Sequence, residues 1–103
     1  MQNYLNIDLD LFQQPKVQKL EYYLGSKAVV FYIKLKLLLA RAGNYKLIKD
    51  YPLLSEYSGL KIKVVQALIE DFDLFVIDDY YFWCEDVIEK MLEQLKDANE
   101  NRA

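Results

Sequence analysis

Between Ser26 and Ala42 the chain is apolar almost all the way round a helix, with Val29, Val30, Phe31, Ile33, Leu35, Leu37 and Leu39 distributed around it. A helix of that kind is stable in water only as the central element of a core. In 103 residues there is room for one such core and not for two domains. The other segments must therefore wrap this one. Its polar exceptions are ordered: Lys27, Lys34 and Arg41 recur every seven residues on one narrow stripe, with Lys36 outside it. Both a solvated strip on a buried helix and a phosphate-facing strip fit that spacing.

The flanking segments have readable boundaries. Residues 1–14 form an extended arm with alternating Ile7, Leu9 and Leu11. Pro15 suits a first helical position, where its missing N–H costs nothing, and Val17, Leu20 and Leu24 make the apolar side of a helix that Gly25 ends. Ser26 is placed to cap the central helix, which Gly43 stops. Asn44 to Ile48 then reads as a strand, Pro52 to Ser58 and Lys61 to Phe72 as two helices around Gly59, and Leu74–Ile77 and Tyr80–Trp83 as strands joined by Asp78-Asp79. Glu85 to Asp97 closes as an amphipathic helix with Ile88, Met91, Leu92 and Leu95 on one face, followed by a polar, frayed tail over 98–103.

The order helix, strand, helix, helix, strand, strand is that of a winged helix. The fold class is thus mainly α with a small β-sheet: a winged helix-turn-helix with extra N- and C-terminal helices, one domain over residues 1–97. Leu54, Ser55, Gly59, Leu60, Val65 and Leu68 carry the helix-turn-helix itself. Ser55 is small where two helices cross, Gly59 can turn left-handed, and the four apolar residues lock the pair.

Composition narrows the chemistry. The chain has no histidine and one cysteine, Cys84, which excludes an internal disulfide and imidazole-based catalysis or metal ligation. Cys84 follows Trp83 without a basic neighbour to activate it and reads as a buried thiol. No run is long enough to span a membrane, and no glycine-rich phosphate loop occurs. The expectation is a cytoplasmic non-enzyme without cofactor, metal or small-molecule substrate. The net charge of −3 conceals two halves: residues 1–65 carry ten basic and five acidic side chains, and residues 66–103 carry three and eleven. A polyanion would meet the first two thirds of the chain and avoid the rest.

In a helix-turn-helix the second helix enters the major groove by its N-terminal residues. Here those are Lys61, Lys63 and Gln66, with Lys46 and Lys49 flanking the first strand as further phosphate contacts. Two lysines at a helix N-terminus oppose its dipole, which fits either an anionic partner or surface lysines merely tolerated there, and Glu70, Asp71 and Asp73 count against deep insertion into a groove. The wing, Tyr80-Tyr81-Phe82-Trp83, places Tyr80 and Phe82 on one side and Tyr81 and Trp83 on the other. One pair packs inward, and Tyr80, Tyr81 and Trp83 are candidates for base stacking or a protein interface. The stripe Ile88, Met91, Leu92 and Leu95 either folds back on the core or pairs with a second copy.

The pattern Tyr4-x-x-x-Asp8-x-Asp10-x-Phe12, then Lys16 to Leu24-Gly25, Tyr32 to Leu39, Gly43-Asn44-Tyr45 and Leu74-Phe75-x-x-Asp78 resembles a bacterial and phage replication module. It is similar to the N-terminal winged-helix domain of DnaD-like and phage replisome-organiser proteins, which also circulates as an uncharacterised mobile-element domain. The resemblance covers about residues 4–95. It implies DNA binding and oligomeric scaffolding in replication initiation, with other replication proteins as partners. Those proteins usually continue into a second domain, and they usually have Ser or Thr where Lys61 stands. The alternative is a protein-interaction or oligomerisation module of the same fold that makes no DNA contact.

Overall fold

The central helix is the hub. In the computed structural model, which describes residues 13–102 with side chains through residue 96, α2 (Ser26–Arg41) packs against α1 (Pro15–Leu24), α4 (Ile62–Glu70) and α5 (Glu85–Arg102). Ala28, Val29, Phe31, Tyr32, Leu35 and Leu39 of α2 are all buried, and α1 contributes Val17 and Leu20 to the same core. At about 1.5–3 kcal/mol for each large apolar side chain removed from water, this one helix supplies much of the driving force for folding.

A single residue, Gly25 at φ 90°, separates α1 from α2. Gly25 is therefore the N-cap of α2, and Ser26, expected to cap it, is already helical. Its hydroxyl donates to the Glu21 carboxylate at 3.3 Å instead. At the far end α2 stops at Arg41, and the Asn44 side chain accepts the Lys46 N–H while Tyr45 takes φ 59°. That turn consumes the first residues of the expected strand and shortens β1 to Leu47–Ile48.

The helix-turn-helix follows as expected. α3 (Tyr51–Ser58) starts one residue earlier than Pro52 because Asp50 caps it, its carboxylate accepting the Leu53 N–H at 3.1 Å. Gly59 turns left-handed at φ 75°, and the Ser55 hydroxyl, at the crossing of α3 and α4, donates to the Leu60 carbonyl. Leu54, Val65 and Leu68 are buried and Leu60 is half-buried against them. α4 ends at Glu70 rather than Phe72, and Phe72 is buried just beyond the end.

β2 (Val76–Ile77) and β3 (Tyr81–Trp83) complete an antiparallel sheet of order β1-β3-β2, with Phe82 opposite Leu47 on one side and Ile77 on the other. The fold is thus mainly α with a small sheet, a winged helix-turn-helix carrying α1 and α5 as extra helices. The hairpin connection is Asp78 to Tyr80, one residue longer than expected, because the Asp78 carboxylate accepts the N–H groups of both Tyr80 and Tyr81. α5 runs on to Arg102, so helix replaces the expected frayed tail over 98–102. Its last residues include Ala, Glu and Arg, which favour helix. The arm over residues 1–12 lies outside the described residues.

A Cβ at Gly59 would meet no atom within 4 Å, so Gly59→Ala tests backbone conformation alone. It should cost about 1–2 kcal/mol in a denaturant titration, the left-handed penalty for an L-residue. Gly43→Ala, also without steric obstruction and without a positive φ, should be close to neutral.

Candidate nucleic-acid interface

Lys61 occupies the N-cap position of α4, and its side chain makes no capping bond. Lys63 and Gln66 stand exposed on the first two turns. Among the described residues neither Lys61 nor Lys63 forms an ion pair. Two ammonium groups thus add to the positive end of a helix dipole, where an anion is favoured twice over. Of the carboxylates at the other end, Glu70 and Asp73 are engaged, and Asp71 is the exposed C-cap residue. Glu70 accepts a 2.5 Å hydrogen bond from the Tyr51 hydroxyl, and Asp73 is paired with Lys16 at 2.9 Å. Burial and the Glu70 carboxylate both push the Tyr51 phenol's pKa up, so it stays a donor at neutral pH.

The two other lysines expected at the interface do different work. Lys49 donates to the Asp78 carbonyl at 2.9 Å, and the Lys46 ammonium lies 4.4 Å from the centre of the Trp83 ring. Both are half-buried and brace the hairpin rather than standing beside Lys61. The hairpin tip carries Asp78 and Asp79, so the wing offers carboxylates where a minor-groove contact wants cations. The N–H groups of Tyr81 and Tyr80 hold the Asp78 carboxyl below its usual range, with Lys46 and Lys49 adding to the effect. Tyr80 lies in the connection and is 73% exposed, so it does not share Phe82's inward side. Phe82 is fully buried, Trp83 half-buried and Tyr81 exposed.

Among the described residues, exposed apolar side chains gather in a groove beside α3 and along α5. A groove of about 610 Å³ runs between α3 and the sheet edge, with Ile48, Leu53, Tyr57 and Tyr81 exposed along it. Only Tyr81 of these was expected from sequence. Leu53 and Tyr57, at i and i+4 on α3, are the pattern that marks the others. On α5 the expected stripe divides: Met91 turns inward with Val87, Ile88 is half-buried, and Leu92 and Leu95 are 54% and 53% exposed. Met91 is therefore part of this chain's own core. Cys84 is buried, and burial pushes its thiol pKa up, the reverse of an activated nucleophile. No helix of the described residues is long and apolar enough to cross a membrane.

The Asp78 geometry sets a sign for pH dependence. Its folded pKa is depressed, so the support it gives the hairpin is complete above the ordinary value of 3.8 and is lost as pH falls through the folded value. Carboxyl NMR should place the Asp78 midpoint below 3.8, with the Tyr80 and Tyr81 amide signals moving at that same midpoint. A midpoint at or above 3.8 would contradict the two hydrogen bonds. No protein-family model matches the chain, and neither does any curated protein or any solved structure.

Proposed function

We propose that the chain is a DNA-binding winged-helix module of the replication-initiation type, contacting duplex DNA through Lys61, Lys63 and Gln66 at the entry to α4. The supporting observation is that both lysines stand at the helix N-terminus without an ion pair among the described residues, while Glu70, Asp71 and Asp73 lie at the helix's other end, Glu70 bonded to Tyr51 and Asp73 to Lys16. Lys63 reaches a phosphate or a guanine edge from such a position, and Gln66 pairs with adenine. Lys46 and Lys49 reach phosphates only by leaving Trp83 and Asp78, so they are secondary contacts. The replication assignment rests on the resemblance to DnaD-like modules. With so few cations the complex is weak and salt-sensitive.

A fluorescence-anisotropy titration of labelled duplex should detect binding at about 50 mM salt, with a log–log salt slope that falls by about 1.8 in Lys61→Ala/Lys63→Ala, roughly 0.9 for each phosphate no longer neutralised. Absence of binding by the wild-type chain at that salt, or an unchanged slope in the double variant, would overturn the assignment.

The second reading, an interaction or oligomerisation module, is favoured by the uncovered groove and by Leu92 and Leu95 on α5. Under it, sedimentation velocity should find the wild-type chain self-associating at high concentration and Leu92→Asp returning it to monomer. A monomeric wild type would remove self-association through this face.

A further inference from the structure

The basic stripe of α2 lies beside the turn that delivers α4. Lys27 and Lys34 are exposed, and they flank a groove of about 230 Å³ whose other described lining residues are Ser26, Val30, Phe31 and Ser58. Ser58 closes α3, Gly59 makes the left-handed turn, and Lys61 stands at the N-cap position of α4 three residues after Ser58. The groove between the stripe and the end of α3 thus reaches the helix-turn-helix turn, and the α4 entry follows three residues further along the chain. No described lining residue of the groove is acidic, and neither lysine forms an ion pair among the described residues. Glu21, which accepts from the Ser26 hydroxyl, bounds the groove at its α1 end.

We propose that Lys27 and Lys34 are a second phosphate-contacting strip, gripping the backbone of the same duplex that receives α4. This rests on the DNA-binding reading above and extends it to a helix outside the helix-turn-helix. The dimensions agree. Seven residues of helix separate the two ammonium-bearing positions by about 10 Å along the axis. Successive phosphates of one strand lie about 7 Å apart, because each axial rise of about 3.4 Å comes with rotation about the duplex axis, so the strip spans between one and two phosphate spacings. Val30, 52% exposed between the two lysines, keeps the strip free of competing charge and needs no partner of its own. Lys36, the α2 lysine off the stripe, is instead turned to Asp86 at 3.5 Å and leaves the groove to the other two.

The test is the salt dependence of duplex binding between about 50 and 200 mM for Lys27→Ala/Lys34→Ala, beside the wild type and Lys61→Ala/Lys63→Ala. The α2 variant should still bind, with its slope lowered by about 1.8, so that its fall in affinity over that fourfold salt range is about tenfold smaller than the wild type's. Lys27→Arg/Lys34→Arg should keep the wild-type slope. Lys19→Ala, an exposed lysine on α1 away from the groove lining, should leave it unchanged. Every substituted lysine is exposed, and unchanged circular dichroism and thermal midpoint will separate binding from folding. A wild-type slope in Lys27→Ala/Lys34→Ala, alongside a reduced one in Lys61→Ala/Lys63→Ala, overturns the strip and leaves the α4 contact standing. A slope reduction in Lys19→Ala of half that in the α2 variant or more also overturns it, because one charge against two would then account for both. No duplex binding by the wild type overturns the strip together with the reading it rests on.

Discussion

The hairpin is fastened to the central helix by a short run of aromatic edges. Tyr32 of α2 meets Phe75 edge-on with ring centres 5.7 Å apart, and Phe75 meets Phe82 of β3 in the same way at 5.4 Å. Such pairs contribute about 0.5–1.5 kcal/mol each beyond the area they bury. Strands of two and three residues cannot hold a sheet together by their own hydrogen bonds. What fixes this one is Phe82, fully buried in the middle strand with Leu47 and Ile77 as its cross-strand neighbours. The positions of Trp83, Lys46, Asp78 and Lys49 all follow from that anchoring. Burial raises the Tyr32 phenol's pKa well above its ordinary value, so the stack stays uncharged through neutral and mildly basic pH.

Features with a local cause were legible in the sequence. The left-handed turn at Gly59, the small residue at the helix crossing, Pro15 at a helix start and the uncapped Lys61 each depend on a few neighbouring residues, and each is where the sequence puts it. Strand ends were not legible, because they depend on side chains such as Asn44 and Asp78 competing for backbone N–H groups that an unbroken strand would have paired elsewhere. The α5 stripe was legible as a stripe but not as an inward face. α5 begins directly after β3 through buried Cys84, which presses its first turn onto the core and selects Val87 and Met91. Leu92 and Leu95 are rotated out by the same docking. Of the candidate site, the α4 entry was legible. The bracing roles of Lys46 and Lys49 were not, since charge alone does not say what a lysine stem lies against.

The two oppositely charged halves of the sequence meet inside the fold at defined points. Lys36, with a side chain only 12% exposed, lies near Asp86 of α5 and 5.4 Å from the centre of the Tyr32 ring, so it is held on its apolar stem as much as by its charge. Lys16 joins α1 to Asp73 through both the carboxylate and the carbonyl. The Lys16 pair is exposed and contributes little to stability. Together with Lys46 and Lys49 at the hairpin, these contacts engage four cations of the first 65 residues within the fold.

That sorting decides where positive potential remains. Lys27, Lys34 and Arg41 stay exposed on α2, and Lys61 and Lys63 on the entry to α4. Screening confines each charge's influence to about 8 Å at physiological ionic strength, so a partner responds to the sign of the nearest surface and not to a net charge of −3. An acidic chain can then present a basic face, provided its carboxylates are gathered on other elements. Here most are: residues 66–103 hold eleven of the sixteen, with Glu70 and Asp71 at the end of α4 away from its lysines and those of α5 beginning at Glu85 and Asp86, where the helix dipole favours them. The same segregation that sets the tail against a polyanion also makes the two halves complementary to each other. A weak duplex contact and a charge-guided contact between copies would then draw on one feature of the sequence, and raising salt would weaken both.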